Sequence, residues 1–289
     1  MPGSLFCFGY GYTAAALARV LAPEGWRIAG SKRWRADPAD SSAERGLLPF
    51  DADHPIEDAQ AALAGVTHIL ISAPPEAAGD PVLRAHRKTI AALPELVWVG
   101  YLSTTGVYGD TGGTMVDEEA ACNPTSDRSR YRVAAEEAWL ALCREAGVPV
   151  HIFRLAGIYG PGRSALDNVR AGRARRIDLP GHLFSRIHVD DIATVLRASI
   201  ARPNPGRTYN VCDNEPASGA DVVAHACGLL GVAPPPLVRL DDAGLSPMAR
   251  SFYNDNRLID NRRIREELGV SLRYPTYREG LRAILDGLE

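Results

Sequence analysis

Cysteine is sparse in this 289-residue chain and forms no pattern: Cys7, Cys122, Cys143, Cys212 and Cys227 are scattered, without a Cys-x-x-Cys pair or a neighbouring histidine group. That argues against a disulfide framework and against a zinc site, and reads as reduced thiols with no metal bound. Long apolar runs are missing too, so no segment reaches the ~20 residues of a membrane-spanning helix. The chain passes from MPGS straight into LFCFG without a basic leader, and the expected location is cytoplasmic. Charge of one sign is also lacking: Lys+Arg 32 against Asp+Glu 35 leave a net charge of -3. No global field then favours nucleic acid or an anionic membrane, and the expected partner is a small molecule. Internal repeats and low-complexity tracts are absent.

What is present is ordinary for a globular chain, with 46% hydrophobic and 23% charged residues. The length suits one large α/β domain with an elaboration, or two modest domains. Short β-rich runs alternate with helical patterns through the first half. They are LFCFG (5–9), the helix AAALARVLA, WRIAG, LLPF, HILIS (68–72), a helix around RAHRKTIAAL, LVWVGYLS (96–103), a helix over 131–146 closed by Gly147, and PVHIFR (149–154). Several strands are continuously apolar, as in a parallel sheet covered on both faces. The expected fold is therefore a doubly wound α/β sheet of the Rossmann type.

After Gly160 the character changes. In SRIHVDDIATVLRASI, Asp190 is expected to cap a helix whose buried stripe begins with Ile192, Val195, Leu196 and Ser199. Ser218 and Asp221 stand at capping-box spacing before another helix, and DNRRIREELG and YREGLRAIL follow. The expected division is a dinucleotide-binding domain over 1–160, to which 186–210 returns, and a smaller C-terminal α/β substrate-binding domain over 161–289.

FGYGYTAAAL supplies Gly-x-Gly-x-x-Ala at Gly9, Gly11 and Ala14, between an expected strand and an expected helix. The first glycine permits the tight turn, the second lets main chain approach a pyrophosphate, and Ala14 keeps helix and strand close. Tyr10, Tyr12 and Thr13 belong to the same cofactor-binding turn. At the end of the next strand, where an NAD site places a carboxylate on the ribose, the chain reads GSKR instead. Ser31, Lys32 and Arg33 offer a hydroxyl, a point cation and a planar fork to a ribose 2′-phosphate, so NADP is expected over NAD. Ser72, Ala73 and Pro74, within ISAPP, end a further strand at the same edge and are expected over the cofactor.

Three more stretches carry a resemblance. LSTTGVYGD (102–110), RLAGIYGPGR (154–163) and RIHVDD (186–191), with the ending LGVSLRYP, resemble in order and spacing the extended short-chain dehydrogenase/reductase family, which contains the nucleotide-sugar epimerases and dehydratases. The resemblance implies that Thr104 is a catalytic hydroxyl holding the substrate oxygen, that Tyr108 and Gly109 shape its pocket, and that Leu155 to Gly157 pass the nicotinamide. Independently, Thr104 follows an apolar strand, at the carboxyl edge where open α/β sheets bind ligands; a threonine bonding its own turn explains it equally well. His188 and Asp190 read as structural, beside a helix start.

That family also carries a Tyr-x-x-x-Lys pair on one helix, and here the lysine is missing. With Tyr131 taken as the phenol, Ala135 occupies the lysine position. A free phenol, pKa about 10, is ionised to only about one part in a thousand at neutral pH, and a nearby cation lowers that pKa by roughly 1 to 3 units. Read instead from Glu136, Arg132 takes the lysine position, and so a place at the cofactor ribose, while Arg128 takes that of the tyrosine. Both registers are compatible with the sequence. The expected activity is that of an NADP-dependent oxidoreductase or an epimerase-like enzyme on a hydroxyl or carbonyl compound such as a nucleotide sugar. The alternative is a catalytically silent NADP sensor or scaffold. Arg163, Arg170, Arg173, Arg175 and Arg176 hint at an anionic substrate, although a solvated helix face explains such a run as well. A homodimer is the expectation by analogy with related folds.

Overall fold

The computed structural model describes residues 2–33 and 46–287. In chain order the first half comprises β1 (Ser4–Phe8), α1 (Tyr12–Leu21), β2 (Arg27–Lys32), β3 (Leu48–Pro49), α2 (Ala59–Ala62), β4 (His68–Ile71), α3 (Pro81–Ala91), β5 (Trp98–Thr104), β6 (Met115–Val116), α4 (Asp127–Ala146) and β7 (Val150–Leu155). The second half comprises β8 (Gly157–Tyr159), α5 (Ala165–Arg170), β9 (Arg176–Asp178), β10 (Arg186–His188), α6 (Val189–Ala201), β11 (Thr208–Val211), α7 (Gly219–Leu229), β12 (Leu237–Arg239), α8 (Pro247–Ser251), β13 (Leu258–Ile259), α9 (Arg262–Glu266) and α10 (Tyr277–Asp286).

Seven strands form one parallel sheet in the order β11-β7-β5-β4-β1-β2-β3, so the chain is the doubly wound Rossmann type that its apolar runs call for. Alternation along β1 shows how both faces are covered. Leu5 and Cys7 pack with Leu17 and Leu21 of α1 and with Ile192, Val195 and Leu196 of α6, while Phe6 and Phe8 pack with Val82 and Ile90 of α3. Trp139 and Leu142 of α4 join that second layer. The order of connection reverses at β1, which lies between β2 and β4. A crevice therefore opens at the carboxyl ends of β1 and β4.

A separate apolar cluster joins α5, α7 and α10 through Leu166, Val222, Ala226, Tyr277, Leu281 and Ile284. Asp191, fully buried on α6, accepts the N–H groups of Arg273 and Tyr274 and so ties the segment before α10 to the main sheet layer. The expected stripe Ile192, Val195, Leu196 and Ser199 is buried, and Ser199 accepts the Trp98 indole N–H at 3.1 Å. Ser218 caps α7 as its spacing with Asp221 requires.

Two helix starts differ from expectation. The cap of α6 is His188, whose Nδ1 accepts the Asp190 N–H at 3.2 Å; Asp190 sits one residue inside the helix and pairs with Arg19 across α1. Helix α4 begins at Asp127 rather than 131, because Ser126 accepts the Ser129 N–H and supplies a cap worth about 1 kcal/mol.

Past the end of β11, Asp213 is 2% exposed, with one carboxylate oxygen on the Glu215 N–H and the other without a hydrogen-bond partner. Burial pushes its pKa up to about 7. Between the usual carboxylate value and about 7 the folded chain binds a proton that the unfolded chain has released, so this group's contribution to stability declines as pH rises across that window. Asp213→Asn removes the effect. Its melting temperature relative to the native chain is expected to rise from pH 5 to pH 7 and then level off; a pH-independent difference would contradict the assignment.

Candidate dinucleotide and substrate site

The crevice begins with the turn between β1 and α1. Gly9 has φ +87°, and a Cβ there would lie 2.9 Å from the Ala73 nitrogen, so the turn can hug the end of β4 only as glycine. Gly11 differs: a Cβ there would meet nothing closer than the Gly9 oxygen at 3.9 Å. Protein packing leaves that side open. Helix α1 also has no side-chain cap, so the N–H groups of Tyr12, Thr13 and Ala14 open it without intrahelical partners. Open space above main chain at an uncapped helix start fits a pyrophosphate, because the N–H groups and the helix dipole both favour negative charge.

A cavity of about 250 Å³ extends from this turn. Of the residues singled out from sequence, Gly9, Tyr10, Gly11, Lys32, Arg33, Ser72, Ala73 and Pro74 line it. Ser31 does not. It is fully buried and accepts the Gly9 N–H at 3.4 Å, so its hydroxyl braces the turn from below and is out of reach of a 2′-phosphate. Thr13 is buried in α1, and the Tyr12 side chain turns away, its hydroxyl donating to the Pro161 carbonyl at 3.0 Å. Sequence reading missed Phe50, Asp51 and Ala52, which also line the cavity. They follow β3, whose run LLPF was visible; carrying that strand to the same carboxyl edge would have found them.

The second half of the site lies where β5 meets the start of α4. Thr104 is half-buried, and its Oγ1 accepts the Gly106 N–H at 3.1 Å, which leaves its own proton available to a ligand. A Cβ on Gly106 would touch Ser129 Oγ at 3.0 Å and Thr104 Oγ1 at 3.4 Å, so the first turn of α4 stands directly beside Thr104. Leu155 is buried at the end of β7, and Gly157 is exposed.

Which face α4 turns inward is fixed by a buried ion pair. Glu136 accepts Arg154 Nη2 at 2.8 Å and Nε at 3.2 Å, and it also accepts the Ser103 hydroxyl. Arg154 donates in turn to the Tyr108 hydroxyl, which donates to Asn210. Burial works against the Arg154 charge, but the Glu136 hydrogen bonds and charge outweigh it and hold the guanidinium above its ordinary pKa. Burial likewise pushes the Tyr108 phenol up to about 12, against the pull of Arg154, so it is no base at neutral pH.

At 100° per residue the inward arc of α4 runs through Ser129, Arg132, Ala135, Glu136, Trp139 and Leu142. Arg128 falls inside that arc, about 30° from its centre, whereas Tyr131 lies just beyond its edge, about 90° away. The geometry thus favours the register read from Glu136. Arg132 is drawn in against the sheet, donating to the Leu102 carbonyl at 2.5 Å and the Tyr101 hydroxyl at 3.3 Å. Arg128 is exposed and has no hydrogen bond or ion pair among the described residues. The chain's two lysines, Lys32 and Lys88, stand on β2 and α3, so no lysine is available to α4.

With this crevice, the strand-end hydroxyl and the buried Glu136–Arg154 pair in place, comparison with known proteins gives the family. A family model described as NAD dependent epimerase/dehydratase family matches residues 80–212. The chain belongs to that family. A 3-diazoavenalumate denitrifying reductase from a Streptomyces species is 30% identical over 75% of this chain and 68% of its own. Protein YeeZ of Escherichia coli is 29% identical over 92% and 94% of the two chains. A solved structure of a functionally unknown conserved protein from Silicibacter pomeroyi is 51% identical over 99% of both chains, with a TM-score of 0.88. Among the described residues no helix is long and apolar enough to cross a membrane, and no group of side chains is arranged to hold a metal ion.

Removing one partner of the ion pair leaves the other charge buried and uncompensated. Arg154→Met is therefore expected to cost about 3–5 kcal/mol in urea unfolding, and adding Glu136→Gln to recover part of that loss. Additive losses in the double variant would contradict direct coupling.

Proposed function

We propose that this family member is an NADP-dependent oxidoreductase that reduces a small carbonyl compound, with guanidinium groups where relatives of its type carry a phenol and an ammonium. The observation that carries this reading is the shared cavity of the glycine turn and the cations Lys32 and Arg33. A point charge and a planar fork at the end of β2 suit a ribose 2′-phosphate, and of the carboxylates in the same cavity Asp51, after β3, already accepts the Asp53 and His54 N–H groups, while Glu76 lies beyond β4. The bound dinucleotide supplies hydride. Thr104 donates a hydrogen bond to the substrate oxygen, and Arg128, on the inward arc one turn before Arg132, stabilises the negative charge that develops there. Guanidinium groups keep their protons across the working pH range, so Arg128 serves as an electrostatic partner and water supplies the proton to the alkoxide. That favours carbonyl reduction over alcohol oxidation, which needs a base. Tyr131, at the edge of the arc, is the phenol that α4 carries.

Two measurements test the proposal. Lys32→Ala with Arg33→Ala is expected to weaken NADPH binding about tenfold or more and to leave NADH binding unchanged; a native chain that binds NADH more tightly would refute the cofactor assignment. With NADPH and a panel of aldehydes and ketones, Arg128→Ala is expected to lower kcat/KM by about 10²–10³ and Tyr131→Phe to have little effect. The reverse ranking would give the proton-transfer role to Tyr131.

A further inference from the structure

Carbonyl reduction consumes a proton, and the side chains named so far give it no route to the substrate oxygen. Arg128 and Arg132 keep their protons, and the Tyr108 hydroxyl already donates to Asn210. Thr104 can hold the oxygen, but no side chain among the described residues donates to its Oγ1, so a proton given up there would not be replaced through the protein. Two serines at the start of α4 offer a route.

Ser129 is 9% exposed and lies on the inward arc of α4. Its Oγ stands 3.0 Å from the position that a Cβ on Gly106 would take, and Thr104 Oγ1 stands 3.4 Å from the same point. Two hydroxyl oxygens, one from β5 and one from α4, therefore flank a single glycine. Gly106 is not in the left-handed region, so its backbone does not call for glycine. A methyl group there would press on both hydroxyls, and what the glycine permits is their close approach.

The direction of the hydrogen bonds adds the second half. Ser126 Oγ donates to Ser129 Oγ at 3.0 Å and accepts the Ser129 N–H at 3.3 Å. A hydroxyl has one proton, so that of Ser126 is committed to Ser129, while Ser129 keeps its own with no acceptor among the described residues. Ser126 itself is exposed. Capping needs only the acceptor part of this arrangement, since the Ser126 oxygen satisfies the Ser129 N–H whatever side chain stands at 129. At α5, α7 and α10 the cap hydroxyl donates instead to a carboxylate three residues on, Asp167, Asp221 and Glu279. A carboxylate accepts and ends the chain, whereas a serine accepts and can pass a proton on.

We propose that Ser129 is the proton donor of the carbonyl reduction and is refilled from solvent through Ser126. The proposal rests on the carbonyl-reduction reading above. Hydride from the dinucleotide forms the new C–H bond, and the carbonyl π pair moves to oxygen. That oxygen takes the Ser129 proton, Ser129 takes the Ser126 proton, and Ser126 takes one from solvent. Each turnover thus consumes one solvent proton and leaves both serines unchanged, while Thr104 holds the oxygen and Arg128 offsets its charge.

Hydride transfer is followed in single turnovers, as loss of NADPH absorbance with the enzyme in excess over an aldehyde that the native chain reduces. Ser129→Ala is expected to slow this step about 100-fold, with NADPH binding and melting temperature close to native. Ser126→Asn keeps a good cap but puts an amide where the relay needs a hydroxyl, and is expected to slow the step about tenfold or more at a native melting temperature. In mixtures of light and heavy water the native rate is expected to fall along a curve, as several protons in flight require, and that of Ser126→Asn along a straight line. The relay is overturned if either variant transfers hydride at the native rate, which would leave the two serines as a helix cap, or if the native plot is straight. A native chain that reduces no carbonyl compound overturns the parent reading as well, whereas reduction that survives Ser129→Ala overturns the relay alone.

Discussion

The pair between Glu136 and Arg154 joins α4 to the centre of the sheet, and much of the site follows from it. Two charges removed from water must satisfy each other closely, so the helix cannot rotate without exposing one of them uncompensated. Ser103 on β5, Tyr108 beyond it and Asn210 on β11 extend the same hydrogen-bonded chain, so three strands and a helix share one register. That register draws Arg132 in against the Leu102 carbonyl, with Tyr131 half-buried and Arg128 exposed on the same first turns of α4. The face that α4 turns toward the sheet therefore cannot be changed by sliding the helix by a residue.

At the other end of the crevice the constraint is steric. Gly9 is required by the protein itself, since any side chain there would strike β4, whereas Gly11 faces open space and is needed only if something else approaches its main chain. The two glycines, two residues apart, therefore have different physical reasons. The uncapped start of α1 supports the same reading, because a helix that leaves its first N–H groups free at a crevice has an unmet electrostatic preference that an anion can fill.

Periodicity made much of the scaffold legible. The apolar runs that became β1, β4, β5 and β7 could be read directly, as could the buried stripe of α6 and the Ser218–Asp221 cap, because each rests on residues a few positions apart. The misread helix starts show where local rules compete. Ser126 and Asp190 are both acceptable caps by type; Ser126 is used, and at α6 the His188 ring nitrogen, held against Tyr159 and Tyr274, takes the role instead. Ser31 differs from its expected place for a similar reason: alternation along β2 turns it under the glycine turn and the next residue, Lys32, toward the cavity, with Arg33 just past the strand end.

By itself the sequence determined the fold class, the glycine turn and the cations after the second strand, since strand period, turn chemistry and helix propensity act over a handful of adjacent residues. It could not choose between the Tyr131 and Glu136 registers, because that choice depends on Arg154, eighteen positions away and on another element. Nor could it separate the arginines that converge on one cavity from those that merely coat a surface. Convergence of Arg186 with Arg163, Arg173 and Arg175 is produced by β8 pairing with β10 and by α10 folding back over α5 and α7. Long-range packing alone brings such charges together.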